Sequence, residues 1–186
     1  MYGIARTEKG LGDLLDAFSL VHAKVRAAHL DIIGAGPLRV VLVDRLSALG
    51  LAEAVTLHGS RNLSDIVPHF LCSVALVLPS HSEPWGLVVN ESLSFGCPVV
   101  VSNRCGCAPE LVIQGVTGYT FDAGSIEALS AAMLAVSKLS ADRATTAKQC
   151  INVMSEFTPE HAASRILEGC TRTLGVRPDS VHSAQH

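Results

Sequence analysis

Four short apolar segments rich in β-branched residues recur through the first 103 residues of the chain. They are LDIIG at 30–34, VTLHG at 55–59, VALVLPS at 74–80 and PVVVSN at 98–103. Each has the length of a strand buried on both faces and ends close to a Gly, Pro or Ser residue. Apolar residues at helical spacings of three and four lie before the first segment and again after residue 125. The alternation predicts an α/β fold in which helices cover both faces of a doubly wound parallel sheet.

The length and composition indicate one domain. The chain has 186 residues, of which 48% are hydrophobic and 17% charged, enough to bury a sizeable core. Further helical segments are predicted around 125–137, 141–155 and 159–174. We expect one domain over residues 1–175 and a flexible tail over 176–186.

Charge and hydropathy exclude several classes of partner. The net charge is -3 and the Lys and Arg residues are scattered, so no nucleic-acid partner is expected and membrane association is at most peripheral. The N-terminus lacks the apolar core of a secretion signal, which favours a cytoplasmic protein. Cys105 and Cys107 are too close in sequence for a zinc knuckle, and no second pair lies nearby. Because free cysteine is among the most buried residue types, the six cysteines are expected to be reduced and mostly buried. No metal site is predicted.

The segment SEPWGLVVNE at 82–91 is the strongest candidate for chemistry. Gly86 stands where a helix begins, and the free N–H groups and dipole of a helix N-terminus favour an anion such as phosphate. Glu91 shares an apolar helix face with Leu87 and Phe95, and a carboxylate in such a place needs a partner. Glu83 lies in the loop before the helix. The two carboxylates are therefore expected to hold different parts of one ligand.

These residues resemble a known family. The segment from Glu83 to Glu91 is similar to the paired-glutamate signature of retaining GT-B glycosyltransferases, the family 4 or group 1 type. Two other segments agree: PELV at 109–112 with GVTGYTF at 115–121, and EKG at 8–10 followed by a helix, a strand and GAGP at 34–37. The resemblance covers residues 1 to about 175. It implies the Rossmann-like, C-terminal half of a GT-B fold, which binds a nucleoside-diphosphate sugar such as a UDP- or GDP-sugar.

The resemblance also implies roles for individual residues. Glu83 would contact the donor sugar, and Glu91 would hold the ribose hydroxyls. The backbone amides of Gly86, Leu87 and Val88 would bind the diphosphate.

A lysine and an arginine offset the charge of the departing diphosphate in the family. Lys9 matches the lysine. The family's arginine directly follows a glycine, but Gly3 is followed by Ile4 here, so Arg6 is close and out of register. Leaving-group stabilisation therefore depends on whether Arg6 reaches the diphosphate.

Two loops and two histidines complete the candidates. Gly34, Gly36 and Ser60 would lie near the nucleotide. His58 and His81 could serve as general bases, but we interpret them as packed, hydrogen-bonded histidines. The resemblance implies no metal or other cofactor, because the leaving phosphate can accept the acceptor's proton.

Enzymes of this family have a first domain that binds the acceptor and a second that binds the donor. The chain resembles the second domain, and its 186 residues leave no room for the first. We expect a donor-binding half that needs an N-terminal acceptor domain or subunit and is inactive alone, whether it is a truncated gene, a split enzyme or an excised piece. The alternatives are a nucleotide-sugar-binding module without catalysis and a nucleotide-sugar epimerase of related architecture.

Overall fold

A computed structural model describes residues 9–174 of the chain. Arg6 and the predicted tail 176–186 lie outside these residues. Strands and helices alternate from Leu11 to Val136, and helices alone follow, as the sequence predicts. The strands are β1 (Leu30–Ile33), β2 (Val55–Gly59), β3 (Leu76–Leu78), β4 (Val99–Ser102) and β5 (Gly118–Phe121). The helices are α1 (Leu11–Lys24), α2 (Arg39–Ala48), α3 (Leu63–Cys72), α4 (Leu87–Ser94), α5 (Ala108–Leu111), α6 (Ile126–Val136), α7 (Arg143–Ser155) and α8 (Pro159–Leu174), with a 3-10 helix at Ser137–Asp142.

The strands are parallel, and their hydrogen bonds form two sets instead of one continuous ladder. β1 pairs with β2, while β4 lies between β3 and β5. β3 has only three residues. The predicted α/β class and parallel pairing are confirmed, and the prediction of one sheet is corrected to two hydrogen-bonded sets.

Helices cover both faces of the strands, because successive strand residues point to opposite sides. Ile32 and Val100 belong to a core shared with α1, α2 and α6. Their neighbours Ile33 and Val101 belong to a second core shared with α3, α4 and α7. The doubly wound arrangement predicted from the sequence is therefore present. It brings the carboxyl ends of β3 and β4 beside the N-termini of α1 and α4.

The helices begin in two ways. Asn62, Ser125 and Asp142 each accept a backbone N–H and cap α3, α6 and α7. α4 begins at Gly86 with no side-chain cap, so its first amides have no partner of that kind.

The C-terminal helix differs from the others. α8 has no buried residue and carries a strongly exposed Ile166 and Leu167. None of the described helices is long and apolar enough to cross a membrane.

Candidate functional site at the ends of strands β3 and β4

Lys9 and Glu83, the two residues predicted to be catalytic, are in direct contact. The ammonium of Lys9, just before α1, donates a hydrogen bond to Oε2 of Glu83 in the loop after β3. The two side chains are mostly buried, with 25% and 16% of their surfaces exposed. Residues 74 positions apart therefore form one partly desolvated ion pair.

Main-chain hydrogen bonds hold Glu83 in place. Its N–H donates to the carbonyl of Arg104 at 3.2 Å, and its own carbonyl accepts from Gly106 at 3.0 Å. The carbonyl of Trp85 accepts from Cys107 at 3.1 Å. Glu83 and Cys105 form an isolated parallel bridge, so the loop continues the pairing of β3 with β4 beyond the strands.

Two glycines permit this packing. A Cβ atom on Gly106 would lie under 3.0 Å from the carbonyl oxygen of Pro84, closer than real Cβ atoms come. The same holds for Gly10 against the carbonyl oxygen of Pro79. Gly10 also has a φ of +64°, which L side chains rarely adopt. The glycine preceding α1 thus sets Lys9 against the end of β3.

Gly86 marks the start of α4, as predicted. Its φ of +96° turns the chain into the helix, and a Cβ there would meet Cδ2 of Leu78, Cγ of Glu83 and Sγ of Cys107 at 3.0–3.5 Å. The next residue, Leu87, is 70% exposed, whereas Val88 is buried. The N-terminus of α4 therefore adjoins the Lys9–Glu83 pair. An anion placed there would meet a cation and free amides together.

Glu91 lies one turn further along α4 and has an unusual environment. One of its carboxylate oxygens, Oε2, is buried and has no hydrogen-bond partner among residues 9–174. Burial raises the pKa of the Glu91 carboxyl above its ordinary value. The buried hydroxyl of Ser80, at the end of β3, likewise has no partner in this part of the chain. Buried polar atoms are nearly always satisfied in native proteins, so these two atoms are candidates for a hydrogen bond to water, an ion or a ligand.

The second-tier residues form a separate group at the ends of β1 and β2. The N–H of Gly34 donates to the carbonyl of Gly59 at 2.8 Å, which brings the loop of Gly34 and Gly36 beside Ser60. Ser60 is exposed. Across the described range, no hydrogen bond or ion pair joins this group directly to Lys9, Glu83 or Glu91.

The two candidate histidines are each paired with a carboxylate. Nε2 of His81 lies 2.9 Å from Oδ2 of Asp13 on α1. Nε2 of His58 lies 2.6 Å from Oδ1 of Asp31 on β1. His58 is hydrogen-bonded and 21% exposed, which agrees with the interpretation as a packed residue. His81 is exposed, so the interpretation as a packed residue is wrong for it.

The sequence analysis missed a third group. His69 on α3 lies beside Asp31 and His58, and the ligand atoms of the three residues are within 4.8 Å of one another. Burial alone would raise the pKa of Asp31, but the His58 hydrogen bond and the nearby imidazoles outweigh it and hold that pKa below its ordinary value. The three residues are 27 and 11 positions apart, so no short motif announces them. The signal that could have found them is that VTLHG and LDIIG are adjacent strands.

The thiols near the site are buried and free. Cys107 lies against Gly86, and burial raises its pKa to about 12. Cys97, Cys105 and Cys150 are also buried, while Cys72 and Cys170 are exposed. All six are free, as the sequence predicts.

The chain is similar in sequence and in fold to known glycosyltransferases. The chain is 32% identical to the glycogen synthase of Mycobacterium tuberculosis over 129 residues. The matched segment covers 69% of this chain and 31% of that enzyme. It superposes with a TM-score of 0.76 and 23% identity on HepE of Anabaena, a structure solved with UDP, over 92% of this chain and 47% of that one. It superposes on the sucrose-phosphate synthase of Thermosynechococcus elongatus with a TM-score of 0.74 and 23% identity. That superposition covers 93% of this chain and 44% of the synthase chain.

These likenesses concern part of each relative. The chain spans about a third of the mycobacterial enzyme's length and about half of each solved chain. The two structures support the fold, which is that of a GT-B glycosyltransferase domain. The model of the family described as "Glycosyl transferases group 1" matches residues 1–152, which include every candidate site residue. The chain therefore belongs to the group 1 glycosyltransferase family, and the sequence-based recognition is confirmed.

Proposed function

We propose that the chain binds a nucleoside-diphosphate sugar at the N-terminus of α4 and forms the donor half of a retaining glycosyltransferase. The observation that carries the proposal is the buried Oε2 of Glu91, which lacks a hydrogen-bond partner among the described residues. A desolvated carboxylate without a donor costs about 1–3 kcal/mol or more. Two vicinal ribose hydroxyls would supply the missing donors. In this assignment Glu91 holds the ribose of the donor.

The diphosphate belongs beside Gly86. The amides of Leu87 and Val88 open α4 without a side-chain cap, and the helix dipole favours negative charge there. That HepE was solved with UDP supports a uridine nucleotide as the first ligand to try. Gly34, Gly36 and Ser60 then line the nucleotide from the ends of β1 and β2.

The Lys9–Glu83 pair serves both ends of the reacting bond. The Lys9 ammonium has three N–H donors, of which one points to Glu83, so the other two can reach diphosphate oxygens. Its charge would stabilise the leaving diphosphate as the sugar departs. Glu83, held by its backbone, would contact the sugar itself. Arg6 would add a second cation.

The remaining parts of the activity concern the whole enzyme. An N-terminal acceptor-binding domain or subunit would place the acceptor hydroxyl over the sugar. The leaving phosphate would take the acceptor's proton, so the transfer itself needs no metal or other cofactor. The acceptor is a glycan, a lipid or a small molecule, and the reaction takes place in the cytoplasm.

A matched pair of variants tests the ribose assignment. Glu91→Gln keeps the shape of the side chain but removes its charge, and hydrogen bonds to charged groups contribute about 1.5–3 kcal/mol. We expect affinity for UDP or GDP, measured by calorimetry, to fall about 10- to 150-fold. Glu53→Gln, at an exposed loop position, should leave it unchanged. Equal affinities for the Glu91 variant and the unaltered chain would refute the assignment.

A second experiment separates binding from transfer. Orienting two reactants accounts for about 7–11 kcal/mol of barrier reduction in favourable systems, and here the acceptor domain would supply that orientation. The chain should therefore bind UDP- or GDP-sugars but release nucleotide only slowly, and acceptor-dependent turnover should appear when an N-terminal half is added. Turnover by the chain alone would contradict the half-enzyme proposal. Binding without turnover in any combination would favour a non-catalytic module.

A further inference from the structure

The group formed by Asp31, His58 and His69 has the composition of a transition-metal site. It offers one carboxylate oxygen and two imidazole nitrogens, all within 4.8 Å of one another. Each residue is half-buried and comes from a different element: β1, β2 and α3. Two imidazoles and a carboxylate are a common protein ligand set for zinc, with water in the fourth position. The role proposed above for the donor site does not use these residues.

The spacing of the ligand atoms suits a tetrahedral ion. Zinc bonds of about 2.0–2.1 Å at tetrahedral angles separate neighbouring ligand atoms by roughly 3.3 Å. Oδ1 of Asp31 lies 2.6 Å from Nε2 of His58, and Oδ2 of Asp31 lies 3.6 Å from Nδ1 of His69. One distance is shorter and the other longer than this value, and all three ligand atoms lie within 4.8 Å of one another. The ion would replace the Asp31–His58 hydrogen bond as the side chains turn toward a common centre.

The fold aims these side chains at one point. Asp31 pairs with Thr56 across the β1–β2 ladder, and His58 lies two residues further along the same face. The register shifts beside His58, since Ile32 and Ile33 pair with Leu57 and Gly59. Such bulges re-aim side chains.

Helix α3 supplies the third ligand from a fixed position. Its residues Ile66 and Phe70 are buried in the second core, and Phe70 stacks on Phe95 of the segment after α4 with ring centroids 5.8 Å apart. The ring of His69 meets that of His58 edge to face, with centroids 4.8 Å apart. The ligands are therefore held by three packed elements and are not carried on one loop.

The donor set discriminates among cations. Magnesium and calcium prefer sites made of oxygen ligands, whereas imidazole suits Zn²⁺, Cu²⁺ and Ni²⁺. A third imidazole lies nearby: Nε2 of His29 is 4.0 Å from Oδ1 of Asp31 and 2.9 Å from Oγ1 of Thr56. No thiolate belongs to the group.

We propose that Asp31, His58 and His69 bind a Zn²⁺ ion that links β1, β2 and α3. The ion joins these three elements and takes no part in the metal-independent transfer proposed for the donor site. Gly59 and Ser60 directly follow His58. The carbonyl of Gly59 accepts the N–H of Gly34, which ties the second loop to the same point. Zinc binding therefore steadies the two loops assigned to the nucleotide.

The test is a Zn²⁺ titration of the full chain, free of affinity tag, stripped with a chelator and carrying Cys72→Ser and Cys170→Ser to remove exposed thiols. We expect one equivalent to bind, and His58→Ala or His69→Ala to weaken binding at least about tenfold. His161→Ala is the matched control, because that exposed histidine also neighbours a carboxylate, Glu156 at 3.5 Å, and no third ligand joins them within residues 9–174. At about 100 times its Kd, zinc should raise the Tm by roughly 5–10 °C.

Two measurements need no histidine variant and remain valid if the variants misfold. Co²⁺ should give the intense visible absorption of a tetrahedral site, and zinc should shift the imidazole NMR signals of two histidines selectively. Mg²⁺ should do neither. Absence of saturable zinc binding, or equal binding by His58→Ala, His69→Ala and His161→Ala, would overturn the proposal. Loss of zinc binding leaves the Glu91 assignment intact, because that assignment is measured with nucleotide.

Discussion

Replacing Gly10 by alanine should disrupt the approach of Lys9 to the end of β3. A Cβ at position 10 would lie under 3.0 Å from the carbonyl oxygen of Pro79 and 3.3 Å from Cδ2 of His81, and φ is +64°. A left-handed backbone costs an L residue about 1–2 kcal/mol, and forcing atoms into a packed region costs about 1–3 kcal/mol. We expect Gly10→Ala to lower the free energy of unfolding by about 2–5 kcal/mol in urea denaturation followed by circular dichroism.

Gly12, two residues later, provides the control. It lies inside α1, and a Cβ added there would have no neighbouring atom within 4 Å, so alanine adds helix propensity without a clash. Gly12→Ala should therefore stabilise the chain by about 0.5–1 kcal/mol. Donor affinity should fall in Gly10→Ala alone, because only that variant displaces Lys9. If the free energy of unfolding of Gly10→Ala differed by less than about 0.5 kcal/mol from that of the unaltered chain, the argument from the Pro79 contact would be wrong.

Three further predictions concern charge and thiols. Lys9→Ala should weaken binding of the nucleoside diphosphate much more than of the monophosphate in calorimetry; equal losses would mean that Lys9 does not face the diphosphate. The raised pKa of Glu91 means that the folded state holds its proton more tightly than the unfolded state, so ionised Glu91 costs stability. The stability advantage of Glu91→Gln should thus grow as pH rises from about 4.5 through the raised pKa and then level off; urea denaturation that showed a constant difference would contradict this. In a native thiol assay Cys72 and Cys170 should react rapidly and the four buried cysteines only after denaturation, whereas six equal rates would refute the burial.

The sequence predicts the regular elements well where one apolar pattern dominates. VTLHG is β2 in full, and the predicted helix at 159–174 has the observed bounds of α8. β5 was not predicted as a strand, because only Gly118 and Phe121 of its four residues are buried and no apolar run marks it. α2 buries only Leu42 and Leu46, which is too little for a clear helical period.

The site was predicted as a set of residues but not as an arrangement. Gly86 and Glu91 could be assigned from the helix that they share, since helix geometry is local. The contact between Lys9 and Glu83 spans 74 positions and needed the resemblance to a family. The sequence does not single out Gly106, because the close approach of Pro84 arises from two loops that are distant along the chain.

The loop that contains Glu83 is held to the loop around Cys105 by main-chain pairing, so its path depends little on its exposed side chains. The hydrogen bonds that shape this loop join main-chain atoms, and Gly106 makes room for them. The side chains of Ser82 and Pro84 are exposed and take no part in these bonds. Mutation at those two positions can therefore alter the surface next to the Lys9–Glu83 pair while the loop keeps its path. If the sugar binds as proposed, substitutions at these two positions would change donor preference at small cost to folding.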